Sequence, residues 1–283
     1  MSDYKNSKWA SEILKLQNEE GSWGYFHTLG KQGKTPITTE QALRRLLILG
    51  YNINDEPIQR CVSYMNDCLL GKKQIPDRRE KLHDWDIITK LILSTWIRKF
   101  TKDCYAANKI ADIWTDIISY AFVDEVYNHD KYVEAYENAF GIKPKGGRLV
   151  DFVNFYQISL ISDCLDERTE SVVIDYILSH NSGIYYIYES RLSVLPETFE
   201  GKKASRYIGA IELLAEYKKS RSKLNFVIKW LNENKNENGK WDMGKTANDK
   251  IYFPLSNSWR QISTREADCT YRIEKLIRKI STG

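Results

Sequence analysis

The chain has 283 residues, enough for one large hydrophobic core or two small ones. Its 42 basic and 38 acidic residues leave a net charge of +4, and this near balance argues against a nucleic-acid-binding protein. We expect a cytoplasmic protein, because the sequence begins without a signal-peptide apolar run and no segment approaches the roughly 18 apolar residues that span a bilayer.

Aromatic residues are frequent and cysteines are scattered. The 8 Trp and 18 Tyr predict aromatic packing or an aromatic-lined cavity. The five cysteines lie at positions without metal or disulfide spacing, so we expect reduced thiols.

Apolar residues recur at helical spacing along nearly the whole chain, and strand signals are few, which predicts an all-α protein. Residues 184–188 alone have strand character. The fourth helix is apolar nearly all round and is therefore expected to be buried. The predicted helices cover about 8–19, 38–50, 55–71, 86–100, 105–122, 131–140, 149–162, 166–180, 202–217, 222–234 and 265–280.

A short motif closes the first helix. Gln17 and Gly21 are followed by Trp23, a pattern that predicts a helix end, a left-handed glycine and an aromatic ring that folds back over apolar surface. A weaker copy spans 235–241, with Lys235 at the glutamine position, and an eroded copy spans 179–185.

The spacing Gln-x3-Gly-x-Trp resembles the repeat of squalene and other triterpene cyclases and of related prenyltransferases. The resemblance implies an α/α toroid, in which amphipathic outer helices surround apolar inner ones. The helices pair into about five hairpins plus one surplus short helix, against six hairpins in the family's full ring. We therefore expect one toroid domain over residues 1–283, smaller than the full ring or open.

The end of the chain carries a second resemblance. The stretch 257–260, followed by 268–272, is similar to the closing repeat of small prenyltransferase-like bacterial proteins. Trp259 and Arg260, which precede the final helix, would plug one cavity mouth or bind the polar head of a ligand. Structural closure of the ring is the alternative for both residues.

In such a ring the inner helices begin at one mouth of the central cavity, where their N-termini would attract an anion. The residues expected at that mouth are Thr39, Glu40, His83, Asp84, Asp86, Arg148, Asp151, Arg206, Arg265 and Asp268.

The acid motif of class II terpene cyclases, Asp-x-Asp-Asp, has a partial counterpart here. Asp84 and Asp86 have the right separation, His83 precedes them, and Ile87 replaces the third aspartate. The resemblance makes His83, Asp84 and Asp86 catalytic candidates, although a lone acid pair is harder to tune to a strong acid. In the alternative, the two aspartates only cap the fourth helix.

Protein prenyltransferases of this fold bind zinc through Asp-x-Cys and a distant histidine. Here the Asp-Cys pairs are adjacent, so they point about 100° apart on a helix, and no histidine has ligand spacing. We expect no cofactor and no zinc; Mg²⁺ would accompany a diphosphate ligand.

Basic residues offer a candidate anion site. The glycine loop 141–148 places Lys145 and Arg148 before a predicted helix, where they would cradle a phosphate or diphosphate, and Arg206 would help to hold the anionic head. Solvated side chains on a polar loop are the alternative.

Aromatic side chains on candidate inner helices are the remaining site residues, since ring faces stabilise cations. Ordinary core packing is the alternative. The aromatic candidates are Trp85, Tyr156, Tyr207 and Tyr271, and Asp268, three residues before Tyr271, is an acidic candidate.

These observations support two hypotheses. The first is a terpene cyclase-like or prenyltransferase-like protein that binds or transforms an isoprenoid or similar hydrophobic small molecule, such as a prenyl diphosphate, in a central cavity. A peripheral membrane contact, as in squalene cyclases, is compatible with it. The second is a non-catalytic toroid that serves as a scaffold for protein partners.

Overall fold

The computed structural model describes residues 4–27, 36–81, 83–146 and 151–281. The predicted all-α class is confirmed: these ranges contain twelve α-helices, short 3-10 turns, and no strand beyond isolated bridges. The chain divides into two compact units, Met1–Ile113 and Trp114–Gly283. No helix in the described ranges is both long and apolar enough to cross a membrane.

The first unit contains four helices, of which the first packs with the second and the third with the fourth, and the first half of a fifth helix that continues into the second unit. Helix α1 is shorter than its pattern predicts, because the chain leaves helical geometry before Gln17 and turns toward Gly21. The helices are α1 (Lys8–Leu14), α2 (Thr39–Ile48), α3 (Glu56–Leu69), α4 (Trp85–Phe100) and α5 (Tyr105–Ala121).

Helix α2 begins where the sequence predicts, and each backbone amide of its first turn donates a hydrogen bond. Thr38 and Gln41 form a reciprocal capping box. The amides of Thr39 and Glu40 donate to the carbonyls of Tyr25 and Phe26 at 2.9 and 3.0 Å. Residues 25–26 are thereby fixed against the start of α2.

Helix α4 is buried along most of its length, as its apolar sequence predicts. Asp84 accepts a hydrogen bond from the amide of Ile87 and so caps its first turn. Helix α3 packs against α4 within the same unit.

The second unit holds the remaining helices. Two predicted helices need correction. Of the segment 149–162, residues 149–150 lie outside the described ranges and only a six-residue helix forms, because the side chain of Asn154 caps it late. The segment 222–234 belongs to two short helices that meet at Leu224. The helices are α6 (His129–Phe140), α7 (Phe155–Leu160), α8 (Glu167–Ser179), α9 (Gly201–Leu214), α10 (Ser220–Lys223), α11 (Asn225–Glu233) and α12 (Ile262–Ser281).

The segment predicted to have strand character is extended but forms only isolated bridges. Tyr185 pairs with Asn154, and Ile184 pairs with Tyr188. Gly183, with a φ of +59°, leaves no room for a β-carbon beside the carbonyl of Tyr188. The eroded third motif therefore closes a tight backbone turn.

The first Gln-x3-Gly-x-Trp motif forms a corner, which we define as residues 17–23. Trp23 is fully buried, and its indole N–H donates to the carbonyl of Ile13 at 2.7 Å. Its amide donates to the hydroxyl of Thr39 at 2.9 Å. The turn is closed by Asn18, whose side chain accepts the amide of Ser22 at 2.9 Å.

A second corner, residues 235–241, repeats these bonds in the other unit. The indole of Trp241 donates to the carbonyl of Leu231 at 2.6 Å, and its amide donates to the hydroxyl of Thr270 at 3.2 Å. Asn236 accepts the amide of Lys240 at 2.9 Å, as Asn18 does in the first corner. The weak sequence copy is thus a structural copy.

Candidate functional site

The residues before α4 include the predicted catalytic candidates, and the structure separates their roles. Asp84 is the N-cap, with its carboxylate on the amide of Ile87 at 3.1 Å. Asp86 points to solvent and pairs with Arg79 at 2.8 Å. Asp84 is therefore a helix cap, as the capping alternative predicts, and Asp86 belongs to a surface ion pair.

His83 stands apart from its neighbours because its side chain is only 9% exposed. Its Nε2 lies 2.7 Å from a carboxylate oxygen of Glu80. Its Nδ1 is buried and has no hydrogen-bond partner. In the neutral tautomer that donates Nε2–H to Glu80, Nδ1 carries a lone pair that no group in the described ranges satisfies.

A second histidine, His27, contacts the first turn of α2. Nδ1 of His27 is 2.7 Å from Glu40, and Glu40 also pairs with Arg44 at 3.3 Å. The carboxylate of Asp77 accepts the amides of Phe26 and His27, so the basic loop before α4 is fixed to this segment.

The pKa of His27 reflects these neighbours. Burial lowers the pKa, but the hydrogen bond and charge of Glu40, with the charges of Glu80 and Asp77, outweigh it and raise the pKa above its ordinary value. Glu80 therefore acts on His27 through its charge while it pairs with His83. We define the histidine–carboxylate cluster as His27, Glu40, Asp77, Glu80 and His83.

Two predicted site residues near α12, Trp259 and Asp268, are joined by a hydrogen bond. Oδ2 of Asp268 accepts four hydrogen bonds, from the amides of Leu255 and Ser256, the hydroxyl of Ser256 and the indole of Trp259. Asp268 is 1% exposed. These bonds hold residues 255–259 against α12, so the contact of Trp259 in the described structure is a structural one.

The predicted aromatic residues lie mainly in cores. Tyr207 is fully buried and donates its hydroxyl to the carbonyl of Leu192 at 3.0 Å. Tyr156 and Trp85 are also buried, and Tyr271 is half-buried. For Tyr156, Tyr207 and Trp85 the core alternative fits the observed surroundings.

The predicted basic residues are exposed where they are described. Lys145, Arg206 and Arg260 all reach solvent. Arg148 lies outside the described residues. No contact of a described residue gathers these cations into one site.

Sequence reasoning missed the partners that define the histidine–carboxylate cluster. Glu80 stands three residues before His83, a spacing at which two side chains can meet within one turn. Glu40 was expected at a helix start, but its pairing with His27 crosses a loop and left no local signal. The identical Asn18 and Asn236 were a readable signal for the two corners.

In the described ranges, no group of three or more His, Cys, Asp or Glu side chains is arranged so that it could hold a metal ion. All five cysteines are free thiols, and burial raises the pKa of Cys61 and of Cys269, the latter to about 12. The side chains of the histidine–carboxylate cluster can form hydrogen bonds and transfer protons.

No protein-family model, curated protein sequence or solved structure matches this chain.

Proposed function

We propose that the chain is an α/α toroid of the terpenoid-cyclase and prenyltransferase kind that binds a hydrophobic small molecule. The support for the toroid is the repeated corner. Two segments 218 positions apart, ending at Trp23 and Trp241, form the same indole, amide and asparagine bonds. Tandem helical hairpins joined by a repeated corner are the building plan of helical arrays.

We propose His83 as the group that recognises the ligand. The single observation that carries this proposal is the buried, unpartnered Nδ1 beside a Nε2 that Glu80 holds. A buried polar atom without a partner is uncommon and costs free energy, about 1–3 kcal/mol. A ligand hydroxyl or N–H that donates to Nδ1 would remove that cost.

The same arrangement suits a general base. A carboxylate that holds one imidazole nitrogen orients the ring and stabilises the imidazolium that forms when the other nitrogen takes a proton. Glu80 has this relation to His83. In this proposal Asp84 and Asp86 do not act as acids, because one caps α4 and the other faces solvent.

Two matched ligands test the proposal. Farnesol carries a hydroxyl donor, and farnesyl methyl ether has the same chain without it. We expect farnesol to bind the wild type more tightly, and His83→Phe to weaken farnesol binding by about tenfold while the ether is unaffected. His129→Phe, which alters an exposed histidine, is the control.

Turnover is tested separately with farnesyl diphosphate. Release of diphosphate or formation of a new hydrocarbon would place the protein among enzymes, and a loss of either product in His83→Phe would make His83 catalytic. If neither product forms while farnesol binds, the protein is a binder.

A scaffold function is the second candidate. It is favoured by the burial of Tyr156 and Tyr207, two aromatic residues that were expected to line a ligand cavity. If wild-type protein binds neither farnesol nor its ether, the scaffold becomes the better account.

A further inference from the structure

A buried arginine in the second unit has donors that the fold does not use. The side chain of Arg265, in the first turn of α12, is only 8% exposed. Its Nε and Nη2 bind the two carboxylate oxygens of Asp242 at 2.5 and 2.6 Å. Its Nη1 is buried and has no partner. Both N–H groups of that nitrogen are therefore available to an acceptor.

The pairing with Asp242 makes the unused nitrogen a fixed feature. A bidentate arginine–carboxylate pair holds the guanidinium in one plane. Asp242 is itself held, because the amide of Gly244 donates to its Oδ1 at 2.9 Å. Nη1 consequently cannot turn toward Asp242 without breaking the other two bonds.

The start of α9 lies beside this arginine. The amide of Gly201 donates to the carbonyl of Met243, which follows Asp242, and the charge of Glu200 reaches Arg265. A β-carbon on Gly244 would lie 3.1 Å from the carboxylate of Glu200. Arg265, the loop 242–244 and the first residues of α9 thus occupy one place in the second unit.

The first turn of α9 has the properties of an anion site. No side chain caps it, since Glu200 at the N-cap forms no capping hydrogen bond. Lys202 and Lys203 follow on that turn and are exposed. An uncapped helix start attracts negative charge, and nearby lysines add to the attraction.

We propose that Nη1 of Arg265 and the first turn of α9 bind an oxygen of a small oxyanion, a phosphate ester or a carboxylate. The charge of Asp242 is already paired with the same guanidinium, whereas the charge of Glu200 opposes an anion. The attraction therefore has to come from Nη1, the helix start, and the exposed Lys202 and Lys203. This proposal does not depend on the function proposed for His83.

Inorganic phosphate, pyrophosphate and acetate are the probes, titrated by calorimetry into the full chain at constant ionic strength. Arg265→Lys keeps the positive charge but removes Nη1, so we expect it to weaken binding of the preferred anion by at least about tenfold. Arg278→Lys is the matched control, because that exposed arginine lies in the last turn of the same helix; it should bind as the wild type does. Preference for phosphate or pyrophosphate over acetate identifies a phosphate ester, and the reverse identifies a carboxylate.

A second variant keeps the test decisive if Arg265→Lys fails to fold. Lys202→Met combined with Lys203→Met alters only exposed side chains and should weaken anion binding and flatten its salt dependence. The proposal is overturned if no probe binds the wild type. It is equally overturned if a folded Arg265→Lys binds as tightly as the wild type, or if the double variant binds unchanged.

Discussion

The start of α12 and the segment before α4 both carry polar residues that the sequence marks as site candidates, and they are used differently. Near α12, four donors converge on one oxygen of Asp268. Before α4, Glu80 holds one nitrogen of His83 and the other nitrogen is buried without a partner. A buried group with all its partners is explained by the fold, whereas the unpartnered nitrogen of His83 is the observation on which the proposed ligand contact depends.

The two corners also differ in what one side chain does, at the glutamine position of the motif. Gln17 donates to the carbonyls of Gly21 and Pro57, at 2.9 and 2.8 Å, and so joins its corner to α3. Lys235, at the equivalent position, places its ammonium group 4.8 Å from the ring centre of Trp241. The glycine and the tryptophan make the corner, and the glutamine adds a link to the next helix.

The largest loss of stability is expected at Asp268, whose Oδ2 accepts four hydrogen bonds. Asp268→Ala leaves the four donors without their common acceptor, so we expect a loss of about 3–5 kcal/mol in the free energy of unfolding. Asp86→Ala, at an exposed carboxylate, should change it by less than about 1 kcal/mol. Urea denaturation of both variants measures the difference, and equal losses would remove the structural role assigned to Asp268.

The two corner glycines should respond unequally to one added methyl group. Gly21 has a φ of +96°, and a β-carbon there would lie 2.7 Å from the backbone of Arg60. Gly239 has a φ of +70° and open space around it. We expect Gly21→Ala to cost about 3 kcal/mol and Gly239→Ala about 1 kcal/mol. Denaturation midpoints measure both, and a costlier Gly239→Ala would contradict the geometry.

The glutamine position gives a smaller contrast. Gln17→Ala leaves two carbonyl groups without their donor, so we expect it to cost about 1–3 kcal/mol. Lys235→Ala removes an exposed contact of a cation with an aromatic ring, worth about 0.5 kcal/mol. If the two variants lose the same stability, the link from the first corner to α3 contributes nothing.

The smallest effect is a pH dependence at His27. Its pKa is raised in the folded state, so its contribution to stability is complete below the ordinary value of 6.5 and is lost as the pH rises through the folded-state pKa. The stability difference between the wild type and His27→Gln should therefore be larger at about pH 6 than at about pH 9. A difference that grows with pH would contradict the pairing with Glu40.

Much of the fold was readable from the sequence, because periodicity, caps and glycine stops act over a few residues. Thr38 and Gln41 announce the start of α2, and a left-handed glycine, Gly50, follows its end. The late start of α7 at Phe155 was not readable, because the side-chain cap of Asn154 begins the helix inside an apolar run.

The candidate site was readable only in part. The sequence singled out His83 by its place before two aspartates, yet what distinguishes His83 is a pairing with Glu80 and a buried nitrogen. Burial of one atom depends on side chains brought together from different helices and loops, which no local pattern encodes. For the same reason the sequence did not predict that Nη1 of Arg265 is buried without a partner.

The most direct test of the account is the ¹⁵N NMR signal of Nδ1 of His83, followed while farnesol or farnesyl methyl ether is added to histidine-labelled protein. The account predicts that farnesol shifts this signal toward the value of a hydrogen-bonded acceptor nitrogen and that the ether does not. An unchanged signal with farnesol, or the same shift with both ligands, would contradict it.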